Sequence, residues 1–215
     1  MTDTVRITEI FFSLQGESRT IGLPTVFVRL TGCPLRCHYC DTAYAFHGGK
    51  SLPLQEVLDE VARYRPRYVC VTGGEPLAQK SCWPLLKQLC DVGYEVSLET
   101  SGAMSTEGVD PRVVKVVDLK TPDSGEQSRN DYDNMQRLNP HDQVKFVICS
   151  RQDYDWARFA IDQYALAGRV SEILFSPSHG QVSPKSLAEW ILADNLAVRM
   201  QLQMHKIIWN DEPGH

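Results

Sequence analysis

The stretch RYVCVTGGEPLAQKSCWPLLKQLCDV, residues 67–92, contains one complete strand-turn-helix unit. Residues 67–72 form a short apolar run suited to a buried strand, and Gly73-Gly74-Glu75-Pro76 punctuates it. Residues 78–92 then set Leu85, Leu86 and Leu89 on one face of a helix. Working outward, the same rhythm continues on both sides. Downstream, strands are expected at 94–99, 113–118, 143–149, 171–176 and 196–203, with helices at 152–167 and 183–194, a long polar loop over 122–131 and a short helix near 131–137. Upstream, strands are expected at 5–12 and 24–31, and a helix at 53–64 whose Pro53 suits a first turn.

The Val/Ile/Leu runs show no strict alternation, which predicts strands buried on both faces in a parallel sheet covered by helices. Repeated βα units in 215 residues point to one domain spanning residues 1–215, for which a barrel-like or an open α/β sheet would fit; about seven strands in so short a chain argue for an incomplete TIM-type barrel rather than a full eightfold one, which needs about 250 residues. In such sheets the chemistry sits at the C-terminal ends of the strands. Five polar motifs follow predicted strands: the cysteine run from Cys33, Thr72-Gly73-Gly74-Glu75, Glu99-Thr100-Ser101, Asp118-Leu119-Lys120 and Ser176-Pro177-Ser178-His179.

A net charge of -5 offers no basic field for a polyphosphate backbone, so a small ligand is expected and no nucleic acid. No apolar stretch reaches the ~20 residues that span a bilayer, and Met1-Thr2-Asp3-Thr4 lacks the basic region of a signal peptide, so a cytoplasmic protein without membrane attachment is expected. Seven cysteines in a reducing compartment read as metal ligands where clustered and as small buried hydrophobes where single, as at Cys70, Cys82, Cys90 and Cys149.

The cluster is Cys33-Pro34-Leu35-Arg36-Cys37-His38-Tyr39-Cys40, a C-x3-C-x2-C spacing on the loop after the second strand. Short tethers let three thiolates converge on a soft metal centre. Three is an incomplete set: structural zinc takes four ligands, whereas a working centre leaves a position open. Zinc closed by His38 is the alternative, although His38, lying between two ligands, would strain to share their metal and is expected on the loop surface.

With Gly73-Gly74-Glu75-Pro76 one βα unit later, the cysteine motif resembles the radical S-adenosylmethionine superfamily. The resemblance implies that Cys33, Cys37 and Cys40 hold a 4Fe-4S cluster whose fourth iron binds S-adenosylmethionine. It further implies S-adenosylmethionine contacts at Gly74, Glu99, Asp118, Leu119, Lys120, Ser176, Pro177, Ser178 and His179, with strand-end capping as the other role open to each polar residue. Glu75 is expected to brace its turn.

Leu14-Gln15-Gly16-Glu17, Arg29, Asp41-Thr42, Glu99-Thr100-Ser101-Gly102 and Gln203-Met204-His205-Lys206 narrow the resemblance to the 7-carboxy-7-deazaguanine synthase family. That family contracts the ring of 6-carboxy-5,6,7,8-tetrahydropterin with loss of ammonia, on the route to queuosine. The resemblance implies a pterin held by Leu14, Gln15, Gly16, Arg29 and Thr72, and a magnesium ion on the Thr42 hydroxyl. It also implies a homodimer and a low-potential donor protein such as flavodoxin. Arg29, a charge in an apolar strand, suits the substrate carboxylate, and its alternative is an ion pair with Glu9 or Glu17. Glu99 is also a candidate for moving a proton. The family often stops at a proline soon after the His-Lys pair; this chain continues through 207–213, so Pro213 is given no place in the pocket.

Two rivals remain at this level: a glycyl-radical activase with an open peptide groove, and a zinc-stabilised binding module. Anaerobic purification decides against or for the second. A brown protein with about four irons per chain is expected, and a colourless one with a single zinc would refute the cluster.

Overall fold

In the computed structural model, which describes residues 3–210, 212 and 214, nine strands form one open sheet in the order β3-β1-β2-β4-β5-β6-β7-β8-β9. β1 is Thr4–Leu14, β2 Pro24–Leu30, β3 Lys50–Pro53, β4 Tyr68–Gly73, β5 Glu95–Thr100, β6 Val114–Asp118, β7 Gln143–Ile148, β8 Glu172–Pro177 and β9 Arg199–Met200. From β2 to β9 every pairing is parallel, whereas β1 pairs antiparallel with both β2 and β3. The sheet does not close, as expected of an incomplete barrel.

Four helices, α1 (Leu54–Arg63), α2 (Cys82–Val92), α3 (Arg151–Gln163) and α4 (Pro184–Ala193), follow strands as the apolar spacing required. Caps set their starts: Ser150 accepts from the Asp153 amide and Ser183 from the Ser186 amide. α2 begins four residues later than expected because Pro84 has no N–H to give and must lie in the first turn. Residues 76–78 instead form a 3-10 turn capped by the Glu75 carboxylate. The short helix near 131–137 is a 3-10 segment, Tyr132–Arg137.

Expectation and structure differ in four further places. β3, too short and polar to register in the sequence, exists because Thr4–Ile7 of β1 offers it a pairing edge. The strand expected over 196–203 shrinks to β9, since only Leu174 and Phe175 are there to pair with it. A fifth helix, α5 (Met204–Trp209), was not anticipated. The fourth difference concerns burial. The strands do alternate: Val26, Val28, Leu30, Val69, Val71, Val96, Leu98, Val144, Phe146 and Ile148 enter two apolar cores shared with the helices. Their neighbours Phe27, Arg29, Thr72, Glu99, Asp118 and Lys145 line a cavity on the opposite face. Helices therefore cover one face only, and the other remains for a ligand.

On the helix side one ion pair is fully enclosed, Lys115 Nζ to Asp142 Oδ2 at 2.7 Å. The Asp142 carboxylate also accepts from the amides of Lys115 (2.8 Å) and Asn139 (2.7 Å). Removing one partner of a buried pair strands the other charge at a cost of about 3–5 kcal/mol. Asp142→Ala should thus destabilise the chain in urea melts by that amount and by more than Lys115→Met, which leaves both amide bonds intact.

Candidate active site

The cysteine loop leaves β2 through Thr31 and Gly32, and Gly32 takes φ +98°, open to glycine at little cost. Register brings this loop beside the glycine turn, because β2 and β4 are parallel neighbours with Leu30 opposite Gly73. Two backbone bonds join them: Gly74 N–H donates to Leu30 O (3.2 Å) and Glu75 N–H to Gly32 O (2.8 Å). A Cβ on Gly74 would lie 2.3 Å from Gly32 O and 2.8 Å from the Cys33 Cβ, so only glycine permits this approach. The Glu75 carboxylate, fully buried, accepts from Leu77 N–H (2.9 Å), Ser101 N–H (2.7 Å) and the Thr100 hydroxyl (2.9 Å). It thereby ties the ends of β4 and β5 together, the bracing role expected of it.

These elements border a cavity of about 580 Å³, a size suited to small-molecule ligands. Cys33, Cys37 and Cys40 line it, with Leu35 buried behind them as the loop's anchor. Burial pushes the Cys37 thiol up to about 11 and raises Cys33 as well, so loading a metal here displaces protons. His38 is exposed, with Nδ1 3.1 Å from Asp123 O. Leu14, Gln15, Gly16, Arg29, Thr42, Thr72, Gly74, Glu99, Asp118, Lys120, Ser176, Pro177, Ser178 and His179 all border the same cavity. Leu119 does not: its side chain is buried in the apolar core of the β6–β8 half, because strand parity turns it away from Asp118 and Lys120. Pro213 lies outside the described residues.

Of the alternatives for Arg29 the ion pair is present, with Glu9 rather than Glu17. Its Nε donates to Glu9 Oε1 at 2.7 Å, and Tyr44 donates to the same oxygen at 2.8 Å. The carboxylate grips the side edge of the guanidinium, and among the described residues no hydrogen bond engages its two terminal nitrogens. Gln15 bridges inward: its amide donates to Glu99 Oε1 (3.3 Å) and accepts from Glu17 N–H (3.2 Å), while Thr72 donates to Glu99 Oε2 (3.1 Å). Lys120 donates to Asp118 Oδ2 at 2.8 Å and lies 5.4 Å from the centre of the Tyr39 ring. Asp118 Oδ1 and the Tyr39 hydroxyl are buried without a hydrogen-bond partner.

Sequence reading missed Lys145, Tyr44 and α5 at this cavity and gave Glu17 only as a motif residue and a possible partner of Arg29. Lys145 was findable, since it interrupts an apolar strand as Arg29 does. It bonds Glu17 across the sheet. α5 closes over the mouth through Met204 N–H to Gly16 O (3.0 Å) and Lys206 to Asp41 (3.1 Å), and Lys206 holds the Asp41 carboxyl below its ordinary range against the opposing effect of burial. The Thr42 hydroxyl donates to Asp41 Oδ1 at 2.8 Å.

Three soft donors on one loop, a glycine turn packed against them, and buried acceptors with no protein partner fit a thiolate-held cluster with a bound polar co-substrate. An open βα sheet with that arrangement defines a radical S-adenosylmethionine enzyme, and the model of the Radical SAM superfamily matches residues 27–119. The crystal structure of QueE from Escherichia coli has the same fold, at a TM-score of 0.76 and 24% identity over 94% of this chain and 95% of that one. Among curated proteins, 7-carboxy-7-deazaguanine synthase of Koribacter versatilis is 45% identical over 97% of this chain and 98% of its own length. That of Chlorobaculum tepidum is 44% identical over 97% and 96%. The chain belongs to the 7-carboxy-7-deazaguanine synthase family, and its cofactors are a 4Fe-4S cluster and S-adenosylmethionine.

Gly74→Ala should force the glycine turn off the cysteine loop. A misplacement near 1 Å costs about 100-fold in turnover, and S-adenosylmethionine binding should weaken in parallel while the thermal melt of the rest of the chain is kept.

Proposed function

We propose that the chain converts 6-carboxy-5,6,7,8-tetrahydropterin to 7-carboxy-7-deazaguanine with release of ammonia, in a deazapurine route such as that to queuosine, working as one domain over residues 1–215. The observation that carries this is Arg29, a half-buried cation whose terminal nitrogens make no hydrogen bond among the described residues and which borders the cavity between the cysteine loop and the Leu14-Gln15-Gly16 turn. A guanidinium so held suits a carboxylate bidentately, which a substrate bearing a 6-carboxylate supplies.

When bound, the cluster supplies one electron to the C–S bond of S-adenosylmethionine, and the protein's part is to hold the reactants and exclude water. Cys33, Cys37 and Cys40 hold the cluster. Gly74, Glu99, Asp118, Lys120 and the 176–179 segment border the space left for S-adenosylmethionine, where the unpartnered Asp118 Oδ1 is an acceptor for a ribose hydroxyl or an amine. For Leu119 only its backbone is placed to contribute, since the side chain is in the core. Leu14, Gln15, Gly16 and Thr72 frame the pterin. Thr42 offers a hard oxygen to magnesium, whose remaining ligands come from water and substrate. Glu99, which accepts only from neutral donors, is the carboxylate placed to take up or return a proton.

A low-potential donor such as flavodoxin fits the reducing requirement, and a homodimer in the cytoplasm fits the family. No described helix is long and apolar enough to cross a membrane. Reconstituted enzyme with reductant, S-adenosylmethionine and the carboxytetrahydropterin should yield the deazaguanine and ammonia in equal amounts, and absence of that product overturns the reading. Arg29→Met should lower kcat/KM by roughly 10- to 150-fold, the loss of a charged hydrogen bond worth about 1.5–3 kcal/mol. Chelation of magnesium should slow the wild type and leave Thr42→Ala little changed.

A further inference from the structure

The turn after β1 is held more tightly than a connecting loop needs. Ser18 N–H donates to Gln201 Oε1 and Arg19 N–H to Gln143 Oε1, each at 2.8 Å, while Gly22 N–H donates to Gln15 O at 2.8 Å. Ser18 itself stands at φ +66°, a strained setting for a residue with a Cβ that persists only where its surroundings enforce it. What this holds in place is Glu17, which is 7% exposed.

Lys145 bonds Glu17 Oε2, whereas Glu17 Oε1 is buried and has no partner. An ionised oxygen left unpaired in the interior is costly and calls for a ligand. Burial alone would loosen the Lys145 proton, but Glu17, with Asp118 and Glu99 beyond it, reverses this and raises the pKa, so the ammonium stays charged. The neighbouring Gln15 amide has both ends engaged, on Glu99 and on the Glu17 amide. Glu17 Oε1 is thus an acceptor with unspent capacity at this end of the cavity, which Glu17 borders.

We propose that Glu17, positioned by Lys145, is the specificity-determining residue that takes the N–H donors of the substrate's 2-aminopyrimidinone edge. This rests on the pterin reading above. A carboxylate matches an exocyclic amine beside a ring N–H, donors that the carboxyl end of the substrate lacks. A site built to bond such donors rejects an analogue without them, because its own buried acceptor is then left bare. Lys145 touches Glu17 rather than substrate and acts by keeping one carboxylate oxygen fixed.

The test is equilibrium binding by calorimetry to the cluster-loaded protein with S-adenosylmethionine, using 7-carboxy-7-deazaguanine and its 2-deamino analogue. Wild type should prefer the amino compound by about 10- to 100-fold. Glu17→Gln should remove most of that preference, with affinity for the deamino analogue within about twofold of wild type, and Lys145→Met should erode the preference in part. Because either single change strands a buried charge, the double variant Glu17→Gln/Lys145→Met serves as the folding-neutral form and should also show no preference. Equal loss for both ligands, or an undiminished preference, overturns the assignment. If wild type binds neither compound, the pterin reading itself fails, a result distinct from binding without discrimination.

Discussion

The parallel pairing of β2 with β4 is the constraint on which the site depends. It sets Leu30 against Gly73, so the two segments leaving these strands emerge side by side and share backbone hydrogen bonds. A side chain on Gly74 would hold them apart, since its Cβ would meet the carbonyl oxygen of Gly32. The root of the cysteine loop is therefore placed by main-chain contact with rigid strands, and Leu35 anchors the rest of it. Glu75 extends the same bracing to β5.

A second constraint follows from putting charges on the inner face of an otherwise apolar sheet. Glu9 holds Arg29, Asp118 holds Lys120 and Glu17 holds Lys145, and in each pair the grip leaves atoms free toward the cavity. Buried charges must be paired, and here the pairing also orients them. Much of this chain's polar burial thus faces the cavity, where one oxygen each of Glu17 and Asp118 has no hydrogen-bond partner among the described residues.

The βα rhythm was legible because apolar spacing and glycine punctuation are local. The alternation of faces was not, since Lys145 and Arg29 each appear as single interruptions in apolar runs, and only their common side of the sheet reveals a second, polar face. β3 owes its existence to an edge offered by β1, which no local propensity announces. Leu119 follows the same logic: sitting within a motif that borders the cavity, it is sent into the core by a period of two that three consecutive residues cannot all satisfy.

By itself the sequence determined the class of chemistry, for three thiols at C-x3-C-x2-C and a glycine pair one βα unit later are covalent facts that any folding must respect. It determined the alternation of most strands and helices along the chain, β3 and α5 excepted, because apolar spacing is local. The tertiary structure alone decided that Arg29 is both paired and available, that Glu17 meets a lysine 128 residues away, and that α5 returns to cover the cavity mouth. All three outcomes are distances between segments remote in the chain, set by sheet register and packing rather than by local sequence.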